Sequence, residues 1–135
     1  RGTWSRACAL LGAWAAHGSK RGVKVGVEGS SLHRAGPGGL DAMLRMVDEI
    51  GNPFLGIYAN PELPGMGNAQ EIRHIGRRIV GMRSSALRPD VDYEATFDVL
   101  CDVDYHWYWT FDVHGVDVAT TRRRFDEIWS GAAGS

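Results

Sequence analysis

The chain has 135 residues, 44% of them hydrophobic and 23% charged, with a formal net charge of −1. That balance belongs to an ordinary globular domain, and no apolar run approaches the length of a transmembrane helix. The near-neutral charge also lacks the basic excess expected of a nucleic-acid-binding protein.

The first predicted element is a helix carrying Trp4, Cys8, Leu11 and Ala15, with Leu10 and Trp14 making it apolar over much of its circumference. A helix of that kind is expected to be covered. Gly12 interrupts its apolar stretch, which also lacks the flanks of a signal peptide. Val23–Glu28 then reads as a strand, with Val23, Val25 and Val27 on one face and Lys24, Gly26 and Glu28 on the other. Leu40, Met43, Leu44, Val47 and Ile50 follow at helical spacing.

The second strand, Leu55–Asn60, sets Leu55, Ile57 and Ala59 against Gly56, Tyr58 and Asn60. A short helix begins at Asn68, which with Glu71 three residues later forms a capping box, and Gly76 ends it. Ile72 and Ile75 are its expected buried positions. The third strand, Ile79–Arg83, places Val80 and Met82 opposite Ile79, Gly81 and Arg83. Tyr93, Phe97, Leu100 and Cys101 mark the next helix, and Tyr108–Asp112 the fourth strand, with Trp109 and Phe111 opposite Tyr108, Thr110 and Asp112. The last helix offers Val118, Phe125, Ile128 and Trp129, and its Arg122-Arg123-Arg124 run reads as a solvated outer face. Residues 130–135 read as a flexible tail.

The order α-βα-βα-βα-βα predicts an α/β fold with a parallel sheet and crossover helices. An open doubly wound sheet and part of a (β/α)8 barrel both fit. Gly26, Gly56 and Gly81 on the polar-tip parity favour the barrel, where space near the axis is limited. A full barrel takes about 250 residues, so the chain is expected to be a single half-barrel, the last four βα units of a larger domain. Four units alone leave two strand edges and an inner face uncovered. The implied cover is a missing barrel half, a second copy or a companion subunit. Cys8 and Cys101 both fall on predicted buried helix faces, as expected of reduced cytoplasmic packing.

Each strand ends on a polar residue: Glu28, Asn60, Arg83 and Asp112. The stretches 22–28, 51–57 and 75–80, with Val91-Asp92-Tyr93 through Tyr105 and Phe111-Asp112, resemble the xylose isomerase-like TIM-barrel superfamily. That group holds sugar and sugar-phosphate isomerases and epimerases and an endonuclease IV branch. The resemblance covers most of the chain, as the C-terminal half of the fold.

In that family four strand tips supply a divalent metal site: a Glu, an Asp with a His three residues on, a second His, and a final Glu. Glu28 matches the first Glu, Asn60 stands at the Asp, Leu63 at its neighbouring His, Arg83 at the second His and Asp112 at the final Glu. A bound ion would be held by Glu28, Asn60 and Asp112 through oxygen, which favours magnesium or manganese over zinc. Without the ion, Arg83 is expected beside one of the two carboxylates.

The resemblance also implies that Glu28 and Asp112 form the acid/base pair of an enolisation. Arg83, inward by strand parity, is the candidate electrophile or phosphate-binding group, with a structural ion pair as the alternative. His33, in the first active-face loop, offers a hydrogen bond to a substrate hydroxyl, with a solvated loop residue as the alternative. His114 is placed to orient Asp112, or else lies on the surface. Tyr108 is the inward candidate of the aromatic cluster, able to stack on a sugar. The expected function is a sugar or sugar-phosphate isomerase or epimerase working through an enediolate. The alternative is a catalytically degenerate barrel serving as a subunit or small-molecule binding module. A phosphodiesterase acting on DNA would need metal ligands and a basic track that this half lacks. The expected partners are therefore a small sugar-like substrate and the cover for the sheet, with neither nucleic acid nor membrane.

Overall fold

The computed structural model describes residues 2–29, 39–63, 65, 67–85, 87–112 and 117–133. Helix α1 (Thr3–Ser19) leads into β1 (Val25–Glu28), α2 (Gly39–Ile50), β2 (Leu55–Ala59) and α3 (Ala69–Ile75). A 3-10 turn (Gly76–Arg78) then enters β3 (Ile79–Ser84), followed by α4 (Tyr93–Asp102), β4 (Trp109–Phe111) and α5 (Val118–Ala133). The four strands form one all-parallel sheet in sequential order, flanked by helices, the arrangement of a half-barrel of βα units. α5 continues through Ala133, into the segment whose composition suggested a tail.

Local chemistry explains where the helices begin. The Asn68 side chain accepts from Glu71 N at 2.9 Å, and Glu71 Oε2 accepts from Asn68 N at 3.1 Å. Together they satisfy two of the helix's otherwise unpaired donors. Gly76, at φ 58°, turns the chain out of α3 in a conformation that a side chain would disfavour. Asp92 caps α4 by accepting from Ala95 N at 2.9 Å.

The core lies between the sheet and its helices. Ile57, Met82, Ile72, Ile75, Phe97 and Leu100 are fully buried. Phe97 meets Trp109, Phe125 and Trp129 edge-on at ring distances of 5.1, 5.2 and 5.0 Å, a geometry in which a positive ring edge meets a negative face. Trp109 donates its indole N–H to Ser84 Oγ at 3.0 Å, so both polar groups are satisfied inside this cluster.

The third strand departs from simple alternation. Ile57 pairs with Ile79, but the next residue, Tyr58, pairs with Gly81, leaving Val80 as the extra residue of a β-bulge. Ile79 therefore joins the helix-side core, and the Val80 methyls turn towards Gly26 and Gly56 on the inner face. This reverses the assignment expected from a strict period of two at these positions. Beyond the bulge the phase is restored, with Met82 in the core and Arg83 inward.

Other helix assignments shift as well. Cys101 is exposed and Cys8 only half-buried, because the covered flank of α4 runs through Thr96, Phe97, Val99 and Leu100. α1 buries Ala15 and Gly18, leaving Leu10 and Trp14 about half exposed. Trp4 instead donates to Glu49 Oε2 on α2 at 3.1 Å, under the Arg45 guanidinium. The exposed large hydrophobics among the described residues are Leu10, Trp14, Val23, Trp107, Tyr108 and Val118. All six belong to the two outer strands, their lead-in segments or the helices beside them. No described helix is long and apolar enough to cross a membrane.

Candidate functional site

Parallel strands in sequential order bring all four polar tips to one end of the sheet, where a βα fold places its functional loops. Arg83, on β3, reaches in both directions. Its Nη1 donates to Glu28 Oε2 at 3.2 Å and its Nη2 to Asp112 Oδ2 at 2.8 Å. Glu28 closes the β1 edge of the sheet and Asp112 directly follows β4, so one guanidinium ties the two edges across the inner face. Its side chain is 40% exposed, against 27% for Glu28 and 34% for Asp112, which leaves the cluster open to a ligand from solvent. The hydrogen bond that Arg83 donates to Asp112, with the charge of Glu28, raises the Arg83 pKa above its ordinary value and fixes its positive charge.

Below these charges lies a concavity of about 450 Å³ lined by Gly26, Glu28, Tyr58, Arg83, Thr110, Phe111 and Asp112. Tyr58 and Thr110 form its floor, their hydroxyl oxygens 2.6 Å apart. Neither was singled out as a site residue from sequence, although both lie on the inner parity. The available signal was the glycines on neighbouring strands: a large side chain on β2 facing Gly26 and Gly81 has only one place to lie.

Asn60 follows a different course. Its Oδ1 accepts from Glu62 N at 2.9 Å and its carbonyl accepts from Leu63 N at 3.1 Å, so the side chain folds back into the loop after β2. Leu63 is part of that same turn. Glu62 accepts from Ser85 N at 2.8 Å and from the Tyr93 hydroxyl at 3.0 Å, tying the loops after β2 and β3 to α4. Burial is the largest cause pushing the Tyr93 hydroxyl pKa upward, so it remains a donor. Tyr108 stands at the opposite end of β4 from Asp112 and is 82% exposed, apart from the charged cluster. His33 and His114 lie outside the described residues.

In this arrangement the oxygens expected to hold a magnesium or manganese ion are engaged by other groups. Glu28 and Asp112 each place an oxygen on the same guanidinium, and the Asn60 oxygen serves the backbone. An ion between the carboxylates would meet the Arg83 charge, and a guanidinium has no lone pair to offer. Among the described residues, no group of three or more His, Cys, Asp or Glu is arranged to hold a metal.

Of the larger concavities elsewhere, two adjoin the sheet. One of about 600 Å³ opens at the other end of the sheet, near Lys24, Arg78 and Trp107. Two of its cations are engaged: Lys24 donates to the Pro53 carbonyl at 2.5 Å, and Arg78 pairs with Asp48 at 2.6 and 2.7 Å. The other, about 870 Å³, runs between β4 and α5 over Phe125 and Trp129 and is mainly apolar. Neither is lined by Glu28, Arg83 or Asp112. Compared with known proteins, the chain matches no protein-family model and no curated protein sequence.

Proposed function

We propose that this chain forms the catalytic half of an isomerase or epimerase acting on a small sugar or sugar phosphate by proton transfer through an enediolate. The observation that carries the reading is Arg83 held between Glu28 and Asp112 at the open strand tips, 3.2 and 2.8 Å from their oxygens. Enolisation needs a base beside the carbon that loses its proton and a fixed positive charge where the carbonyl oxygen gains electrons. A carboxylate supplies the first and Arg83 the second. Arginine has five N–H donors, and the two carboxylate bonds occupy one on each terminal nitrogen, leaving others for a substrate oxygen. In an isomerisation one carboxylate carries the proton from one carbon to its neighbour. An epimerisation needs both, one removing the proton and the other returning it to the opposite face.

The same contacts favour a second reading, a non-catalytic barrel subunit or small-molecule binding module. Two carboxylates bonded to one arginine also make a self-contained ionic clasp. Solvent exchange separates the two readings. The protein is incubated in D₂O with dihydroxyacetone phosphate, ribulose 5-phosphate or fructose 6-phosphate, and proton NMR follows the hydrogens beside each carbonyl. Exchange above the buffer rate, abolished by Glu28→Gln or Asp112→Asn, is the expected result. No exchange with any of the three would leave the binding module.

A further inference from the structure

We infer that Tyr58 and Thr110 act as one substrate-contacting unit, donating a hydrogen bond from the floor of the site to an oxygen of a polyhydroxy carbonyl compound; this rests on the proposed isomerase or epimerase reading. Tyr58 leaves β2, crosses β3 and reaches Thr110 on β4, with 2.6 Å between the two oxygens. Its path exists because the neighbouring inward positions lack side chains. A Cβ at Gly26 would lie 2.9 Å from Tyr58 Cδ2, and the three nearest atoms to a Cβ at Gly81 all belong to the Tyr58 ring. The ring is thus seated on a shelf of backbone, and a seated ring spends little conformational entropy when a ligand arrives.

Its position in register is equally specific. Tyr58 is paired with Glu28 on one side, and Thr110 with Arg83 on the other. The two hydroxyls lie directly beside the charged groups, in the same concavity. Each hydroxyl carries one proton, and their mutual bond uses one of the two. Whichever oxygen is the donor in that bond, a second O–H remains. Beside Arg83, this O–H gives a developing oxyanion a neutral donor next to a cationic one.

The test uses the intact chain labelled with ¹³C at the ζ carbon of its four tyrosines, the Tyr58 signal being assigned by its loss in Tyr58→Phe. The probes are the same three phosphates, titrated to millimolar concentration, with exchange in D₂O followed in parallel. The Tyr58 signal is expected to move with at least one probe. Thr110→Val should weaken that response at least tenfold and Thr110→Ser restore it. The Tyr58→Phe/Thr110→Val double variant should lose about 100-fold in kcat with a smaller change in KM, the scale of one lost oxyanion donor. A moving signal without proton exchange supports the contact and fails the isomerase reading. Exchange that persists at the wild-type rate in the double variant, with an unmoved Tyr58 signal, overturns the inference and leaves that reading intact. Neither shift nor exchange with any probe overturns both.

Discussion

Replacing Gly81 with alanine isolates the shelf from any question of chemistry. The added Cβ would fall 2.6 Å from Tyr58 Cδ2 and closer still to Cε2, so the ring must leave its seat. Leaving breaks the hydroxyl contact with Thr110, a net loss of about 1 kcal/mol. If roughly 75 Å² of ring surface returns to water, another ~2 kcal/mol is lost. Alanine restricts the unfolded chain more than glycine does, which offsets about 0.4–1 kcal/mol. The balance is a destabilisation near 2 kcal/mol, or a Tm lowered by roughly 7 °C for a chain of this size. Calorimetry or urea denaturation of four proteins, wild type, Gly81→Ala, Tyr58→Ala and the double variant, gives the decisive number. In the Tyr58→Ala background Gly81→Ala should be neutral or slightly stabilising, so the coupling between the sites should be about 3 kcal/mol. Equal effects of Gly81→Ala in both backgrounds would refute the seating of the ring.

Phe97→Ala should cost about 3–5 kcal/mol, read from the denaturation midpoint, because the ring is fully buried among Trp109, Phe125 and Trp129; a loss under 1 kcal/mol would contradict that packing. The Arg78 hydrogen bond holds the Asp48 carboxyl below its usual pKa of 3.8. A carboxylate lowered on folding contributes stability above the unfolded pKa and loses it as pH falls through the folded one. For this solvent-screened pair the contribution is about 0.5 kcal/mol, so Asp48→Asn should be less stable than wild type at pH 7 and converge with it at acid pH. Light scattering at micromolar concentration should find the chain associated rather than monomeric, since its exposed apolar residues gather at the outer elements of an unclosed sheet.

The sequence made the sheet legible because Val25, Val27, Leu55, Ile57, Met82, Trp109 and Phe111 keep the alternation that burial on one face imposes. The capping box at Asn68 and Glu71 was equally readable, since its partners are three residues apart and need no tertiary information. The bulge at Val80 was not. It is a property of the pairing with β2, and a strand read alone offers no reason to insert an extra residue. For the same reason Asn60 could be placed at a tip but not turned: its side chain chose the nearby Glu62 N–H over the common site. Arg83 beside a carboxylate followed from inward parity and the cost of an unpaired charge. That it would reach both Glu28 and Asp112 depended on the distance between the sheet's two edges, which no single strand encodes. Leu10 and Trp14 were legible as an apolar flank, but not what covers them, because such a flank has the same pattern whatever lies against it.

The Arg83 clasp joins residues 55 and 29 positions apart in the chain, drawn from the first strand, the third and the end of the fourth. Closing such separations costs loop entropy before any contact is made, so contacts of this kind form late in folding. An intermediate with only β2 and β3 paired could hold much of the core, yet it would have neither carboxylate in place. Ligand affinity at this site would then report completion of the sheet, not merely its collapse, and an edge strand that frays would silence the site while most of the helical signal persisted.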